Sequence, residues 1–187
     1  MQAQTAVLLS PSLATRRAVA VLLGAALVAA AAQVAVPLPG TPVPMTLQPL
    51  AVLLVGGLLG PRLGALSMLL YLALGAAGLP VFTPYGLPGV ARLIGPTGGY
   101  LLAYPVAACA VGLLAGDARR WGRLLLAVTC GLVLIHLGGT AQLLILTGSA
   151  ASALRLGTLP FLLGDLGKLA IAVLVLKPTV NPLRARL

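Results

Sequence analysis

The segment LPFLLGDLGKLAIAVLVLK, residues 159 to 177, is apolar helix-forming sequence interrupted by Asp165 and Lys168, an acid and a base three residues apart. At i and i+3 of a helix the two share a face, so they can neutralise each other or together grip a ligand that carries both donors and acceptors. A charged residue at the centre of a transmembrane helix costs about 2.5–3.5 kcal/mol on insertion scales. A buried ion pair is seldom more stabilising than apolar residues of similar size. Ligand binding is therefore favoured over a self-contained pair.

Little else in the chain could do chemistry. It has two acids, Asp117 and Asp165, and one histidine, His136. General acid–base or metal catalysis would have to be assembled from almost nothing, so no enzyme activity is expected. GDLGKL resembles a phosphate-binding loop only superficially, because no glycine stands five residues before Gly167 and Leu169 occupies the place of the magnesium-holding Ser/Thr. Asp117, in the turn GDARRWGR, reads as a solvated or capping charge. His136 lies within an apolar run, where one hydrogen bond to a neighbouring helix would satisfy it; a proton relay would need further intramembrane acids. Cys109 and Cys130 sit in separate apolar runs without CxxC spacing and read as small buried side chains. Arg92, in PGVARLIGPTGGY, can offer a two-pronged contact to a carboxylate, or can be an exposed arginine. The following GPTGGY provides a turn at Pro96, a helix start at Thr97 and room for close backbone approach at Gly98 and Gly99.

The elements that position these groups must be membrane helices. The chain is 60% hydrophobic and 7% charged, with a mean hydropathy of +1.11, and lacks the alternation of barrel strands. About 20 residues cross the hydrocarbon core. The sequence divides into six spans, near 17–36, 48–60, 63–79, 99–115, 124–146 and 159–177, with Pro61–Arg62 making a tight hairpin or a bent unit of the second and third. Arg16, Arg17, Arg62, Arg119, Arg120, Arg123, Lys177, Arg184 and Arg186 then fall on one side, and only Arg92 and Arg155 on the other. The positive-inside rule places the first set, and both termini, in the cytoplasm. The net charge of +10 is thus topology rather than a nucleic-acid surface. Residues 1–15 form a cytoplasmic segment with no cleavable signal, 16–177 the six-helix domain, and 178–187 a cytoplasmic tail. The external connections, Val36–Pro49 with its prolines and the Gly/Pro-rich Pro80–Gly99, are apolar and irregular. Such segments are tolerated when they pack on protein or close a cavity, so both read as lids. Small residues recur at four-residue spacing at Ala25/Ala29, Ala26/Ala30, Gly56/Gly60 and Gly112/Gly116, where helices can approach closely. The first span has enough of them to form a flat face for another membrane protein as well.

Three regions resemble the signatures of the BioY family, the biotin-specific S components of energy-coupling factor transporters. These are PLPGTPVPMTLQPLAVLLVGGLLGPRLGALSMLLYLALGAAGLPVF, GPTGGYLLAYPVAA and LPFLLGDLGKLAIA, in order over about residues 15 to 177. The resemblance implies an all-α, six-helix S-component fold in a bacterial or archaeal cell membrane. It implies a subunit that binds biotin from outside, needs no cofactor, and docks on a transmembrane coupling subunit and two cytoplasmic ATPases. On the family pattern Asp165 accepts from a ureido N–H and Lys168 donates to the ureido oxygen, while Arg92 meets the valerate carboxylate. Tyr85, Phe82 and Tyr100 supply the walls, Gly98 lies against the ligand, and Ala25 and Ala29 form the partner face. The chain departs from the family in two places. Its only asparagine is Asn181, in the tail, which leaves Gln48, Thr83 or Tyr85 for the contact that family members make with an asparagine near the binding loop; and Leu163 replaces the usual proline before GD.

The alternatives are an S component for another vitamin, or a carrier working alone on a proton gradient. Thiamine is cationic, and riboflavin asks for more stacking than two Phe, four Tyr and one Trp give readily. A proton-coupled carrier would be expected to show a relay of intramembrane acids, where only Asp165 is available.

Overall fold

The computed structural model describes residues 12–187. The expected N-terminal segment lies outside the described residues up to residue 11. Ser12 already caps the first helix, its hydroxyl accepting from the Thr15 backbone N–H, and α1 runs Leu13–Gln33. Two short strands follow, β1 (Ala35–Val36) and β2 (Met45–Thr46), paired antiparallel with Ala35 opposite Thr46. The proline-rich first lid is the loop between them.

Helix α2 spans Gln48–Ala76 but is broken at Gly60, whose φ of 81° and ψ of 179° are open to a residue without a Cβ. A straight helix would set Gln48 and Tyr71 about 34 Å apart at 1.5 Å per residue. Instead Gln48 Nε2 donates to the Tyr71 hydroxyl at 2.6 Å. A Cβ on Gly64 would lie 3.0 Å from Gly56 Cα, so the arms are in backbone contact just beyond the break. This is the hairpin expected at Pro61–Arg62.

The remaining elements are α3 (Val90–Ile94), α4 (Gly98–Ala115), α5 (Trp121–Thr147), α6 (Ala150–Gly157), a 3-10 turn (Leu159–Phe161) and α7 (Leu162–Arg184). Five helical stretches among the described residues are long and apolar enough to cross a membrane. Leucines such as Leu23, Leu126, Leu163 and Leu166 are exposed on the bundle's outside, as lipid contact permits. The short helices α3 and α6 are additions to the expected layout. The last helix also extends beyond the expected boundary at 177, through Pro178 and Pro182, so most of the anticipated tail is helical.

Glycines set how closely the bundle packs. A Cβ at Gly56 would come within 2.4 Å of the Ala108 carbonyl oxygen, and one at Gly112 within 2.4 Å of the Pro61 nitrogen, so α2 and α4 meet backbone to backbone. Gly60 and Gly116, expected to be packing residues, have positive φ and serve as breaks. One end of the bundle collects the basic side chains. Arg184 donates to the carbonyls of Gly57, Gly112 and Gly116, Arg17 to that of Leu187, and Lys177 to those of Ala118 and Arg119. The N-terminal end of α1, the α2 break, the α4–α5 turn and the C-terminal end of α7 therefore share that end, as the distribution of charge anticipated.

Candidate ligand-binding site

A cavity opens at the opposite end, beneath the two lids. Its lining includes Val43, Pro44 and Thr46 from the first lid, Phe82, Thr83 and Arg92 from the second, and Gln48, Tyr100, Tyr104, Ile135, His136, Phe161, Asp165 and Lys168 from the bundle. The empty space, open mouth included, is about 560 Å³. Aromatic and aliphatic walls with a few convergent polar groups are the general character of a small-molecule site.

Asp165 stands in the first turn of α7, where the helix N-terminus favours an anion. It is 3% exposed and Lys168 is 6% exposed. Lys168 Nζ donates to Asp165 Oδ1 at 2.9 Å, and His136 Nε2 bonds Asp165 Oδ2 at 2.6 Å. The acid and base are thus closed upon one another, but they are not saturated. An ammonium has three donors and a carboxylate about four acceptor sites. Two Lys168 N–H groups and about two Asp165 lone pairs remain, in side chains that line the cavity.

Arg92 is 7% exposed, so it is no free surface arginine. Nε donates to the Leu87 carbonyl at 3.0 Å, Nη1 to Thr83 Oγ1 at 3.0 Å and Nη2 to the Thr83 carbonyl at 2.9 Å. The guanidinium knits its own lid together and still has two of its five N–H donors left. Burial pulls its pKa below the ordinary arginine value, with Tyr71 acting in the opposite direction. Gly86 makes room for it: φ there is +99°, and a Cβ would lie 2.8 Å from Nη1. Gln48 is buried, with its amide donating to Tyr71 and accepting from Thr46 Oγ1 at 3.2 Å. Phe82 packs edge-on against Tyr71, ring centroids 5.4 Å apart. The Tyr100 hydroxyl donates to the Gly157 carbonyl, tying α4 to the end of α6 and leaving its ring as cavity wall.

Four expected residues are placed elsewhere. Tyr85 is 47% exposed and does not line the cavity; Tyr104 and Phe161 supply the walls assigned to it. Gly98 is buried at the α3–α4 turn, where a Cβ would collide with the Leu93 carbonyl, and the cavity lining takes in its neighbour Thr97 instead. Ala25 is 3% exposed and packs into the core, with Ala29 half-buried beside it. Of the two small-residue pairs singled out in the first span, Ala26/Ala30 is the exposed one. His136 does make the single interhelical bond expected of it, but its partner is Asp165.

The sequence model of the BioY family matches residues 2–185. This chain belongs to the BioY family. It is 43% identical to the probable biotin transporter BioY of Pyrococcus horikoshii over 155 residues, covering 83% of this chain and 90% of that protein. It is 37% identical to the biotin transporter BioY of Thermotoga maritima over 150 residues, covering 80% and 87% of the two chains. A crystal structure of the S component for biotin from an ECF-type ABC transporter superposes with a TM-score of 0.81 at 26% identity, covering 90% of this chain and 94% of the other. The BioY-like segments seen in the sequence converge on one place. PVPMTLQ contributes Val43, Pro44, Thr46 and Gln48 to the cavity, GPTGGYL contributes Thr97, Tyr100 and Leu101, and LPFLLGDLGK contributes Phe161, Asp165 and Lys168.

Proposed function

We propose that this BioY-family chain is a high-affinity biotin-binding membrane subunit that mediates biotin uptake. A transmembrane coupling subunit and two cytoplasmic ATPases energise it. The observation that carries this reading is the Asp165–Lys168 couple, buried in the cavity wall with donors and acceptors still unspent. Biotin's ureido ring presents N–H donors and a carbonyl acceptor on one small edge, which is the complement of that couple. Asp165 accepts from a ring N–H and Lys168 donates to the ureido oxygen. Phe82, Tyr100, Tyr104 and Phe161 enclose the bicyclic ring. The two spare N–H groups of Arg92 take the valerate carboxylate, a charge-assisted contact. Gln48 and Thr83, both in the lining, stand where the family's asparagine contact is lacking.

In the membrane the two arms of α2 count as separate passes, giving six, with both termini and the basic end in the cytoplasm. The cavity then faces outward. The exposed Ala26/Ala30 face of α1 meets the coupling subunit.

Calorimetric titration of the detergent-purified protein tests this. Biotin is expected to bind tightly, desthiobiotin more weakly and thiamine not at all. Asp165→Asn should abolish the biotin signal in protein that still unfolds cooperatively, at a lowered melting temperature. Unchanged affinity in that variant would refute the site assignment.

A further inference from the structure

Asp165 has a second holder whose role the ion pair with Lys168 does not explain. His136 Nε2 lies 2.6 Å from Asp165 Oδ2, across from the Lys168 bond to Oδ1. A carboxylate accepts, so Nε2 carries the proton and donates. His136 Nδ1 is buried and has no hydrogen-bond partner among the described residues. The ring is fixed in place, with its centroid 6.2 Å from that of Tyr100 and 6.3 Å from that of Phe161, both cavity residues.

His136 and Asp165 also line a second, largely apolar cleft between α5 and α7, beside exposed Leu137 and Leu166. Their bond is thus part of the partition between the ligand cavity and the bundle's lipid side. Without it, Oδ2 would lose its tether and the carboxylate could turn about its side chain toward Lys168 alone.

We propose that His136 is a positioning residue for ligand recognition: by donating to Oδ2 it fixes the Asp165 carboxylate so that its remaining lone pairs meet the ligand's N–H donors. This rests on the assignment of biotin's ureido edge to Asp165 and Lys168. Histidine here acts through Asp165, so its effect is confined to the contacts that Asp165 makes.

The test compares His136→Phe, which keeps a ring without a donor, with His136→Gln, whose amide N–H reaches about as far as Nε2–H. Each is titrated with biotin and with biotin methylated on a ureido nitrogen. The Phe variant should bind biotin at least tenfold more weakly than wild type, and Gln should recover most of that loss. Methylation should cost the Phe variant several-fold less than it costs wild type, because the N–H it removes no longer meets an oriented acceptor. In the wild type, nitrogen NMR of the chain's single histidine should show the proton on Nε2. Wild-type affinity in His136→Phe, or an equal methylation penalty in both proteins, overturns the proposal while leaving biotin binding intact. A wild type that does not bind biotin overturns the functional reading and this proposal together.

Discussion

The two ends of the bundle spend their polar groups differently. At the basic end, Arg184, Arg17, Arg123 and Lys177 donate to backbone carbonyls at helix ends and turns, and glycines bring α2 and α4 into backbone contact. That end is a closed joint. At the lid end the charged side chains are more deeply buried, yet Lys168, Asp165 and Arg92 each keep hydrogen-bonding capacity beside open space. Burial alone does not distinguish a functional charge from a structural one; unspent donors and acceptors in a cavity do.

The contrast can be broken at either end. Lys168→Ala should have the largest effect on binding, since it removes the ureido donor; by leaving Asp165 without its cation it also costs folding stability, about 3–5 kcal/mol. Calorimetry should show biotin affinity falling more than a hundredfold. Gly56→Val attacks the joint instead. Overpacking costs about 1–3 kcal/mol, so the melting temperature should fall while the protein that remains folded still binds biotin. A comparable loss of affinity in that variant would mean that the two ends are not separable. Arg92→Lys cannot reproduce the three-way grip on Thr83 and Leu87, and biotin affinity should fall about tenfold, or ~1.4 kcal/mol. The same substitution should matter little for biotin amide, which lacks the carboxylate. Ala26→Trp should have the smallest effect on binding, none, while preventing co-purification with the coupling subunit. Loss of binding in that variant would make α1's outer face part of the fold rather than a docking surface.

Much of this was legible in the sequence because bilayer physics is blunt. Run length marked the long apolar helices, Pro61 the hairpin, and scattered arginines the shared end. The Asp165–Lys168 pair stood out because charge inside an apolar run is costly. What was not legible depended on rotation and on partners distant in the chain. Helix α1 is apolar all round, so nothing in it says whether Ala25 or Ala26 faces inward, although one residue turns the helix by about 100°. Tyr85 and Tyr104 are equally plausible walls until the lid is folded. His136 carried no local mark of its bond to Asp165, 29 positions away. The helix α6 did leave a trace in Ser149, which caps it by accepting from the Ser152 N–H.

The bonds of Arg92 all end within residues 83–87, on its own loop. That loop's side-chain hydrogen bonds to the bundle come from two glutamines, Gln33 to the Phe82 carbonyl and Gln142 to the Ile94 carbonyl. The flap is therefore riveted internally by a cation but latched to its frame by neutral amides. Its polar ties to the frame thus include no pair of opposite ions among the described residues, and it is the buried Phe82 ring, packed on Tyr71, that seats its start on the bundle core.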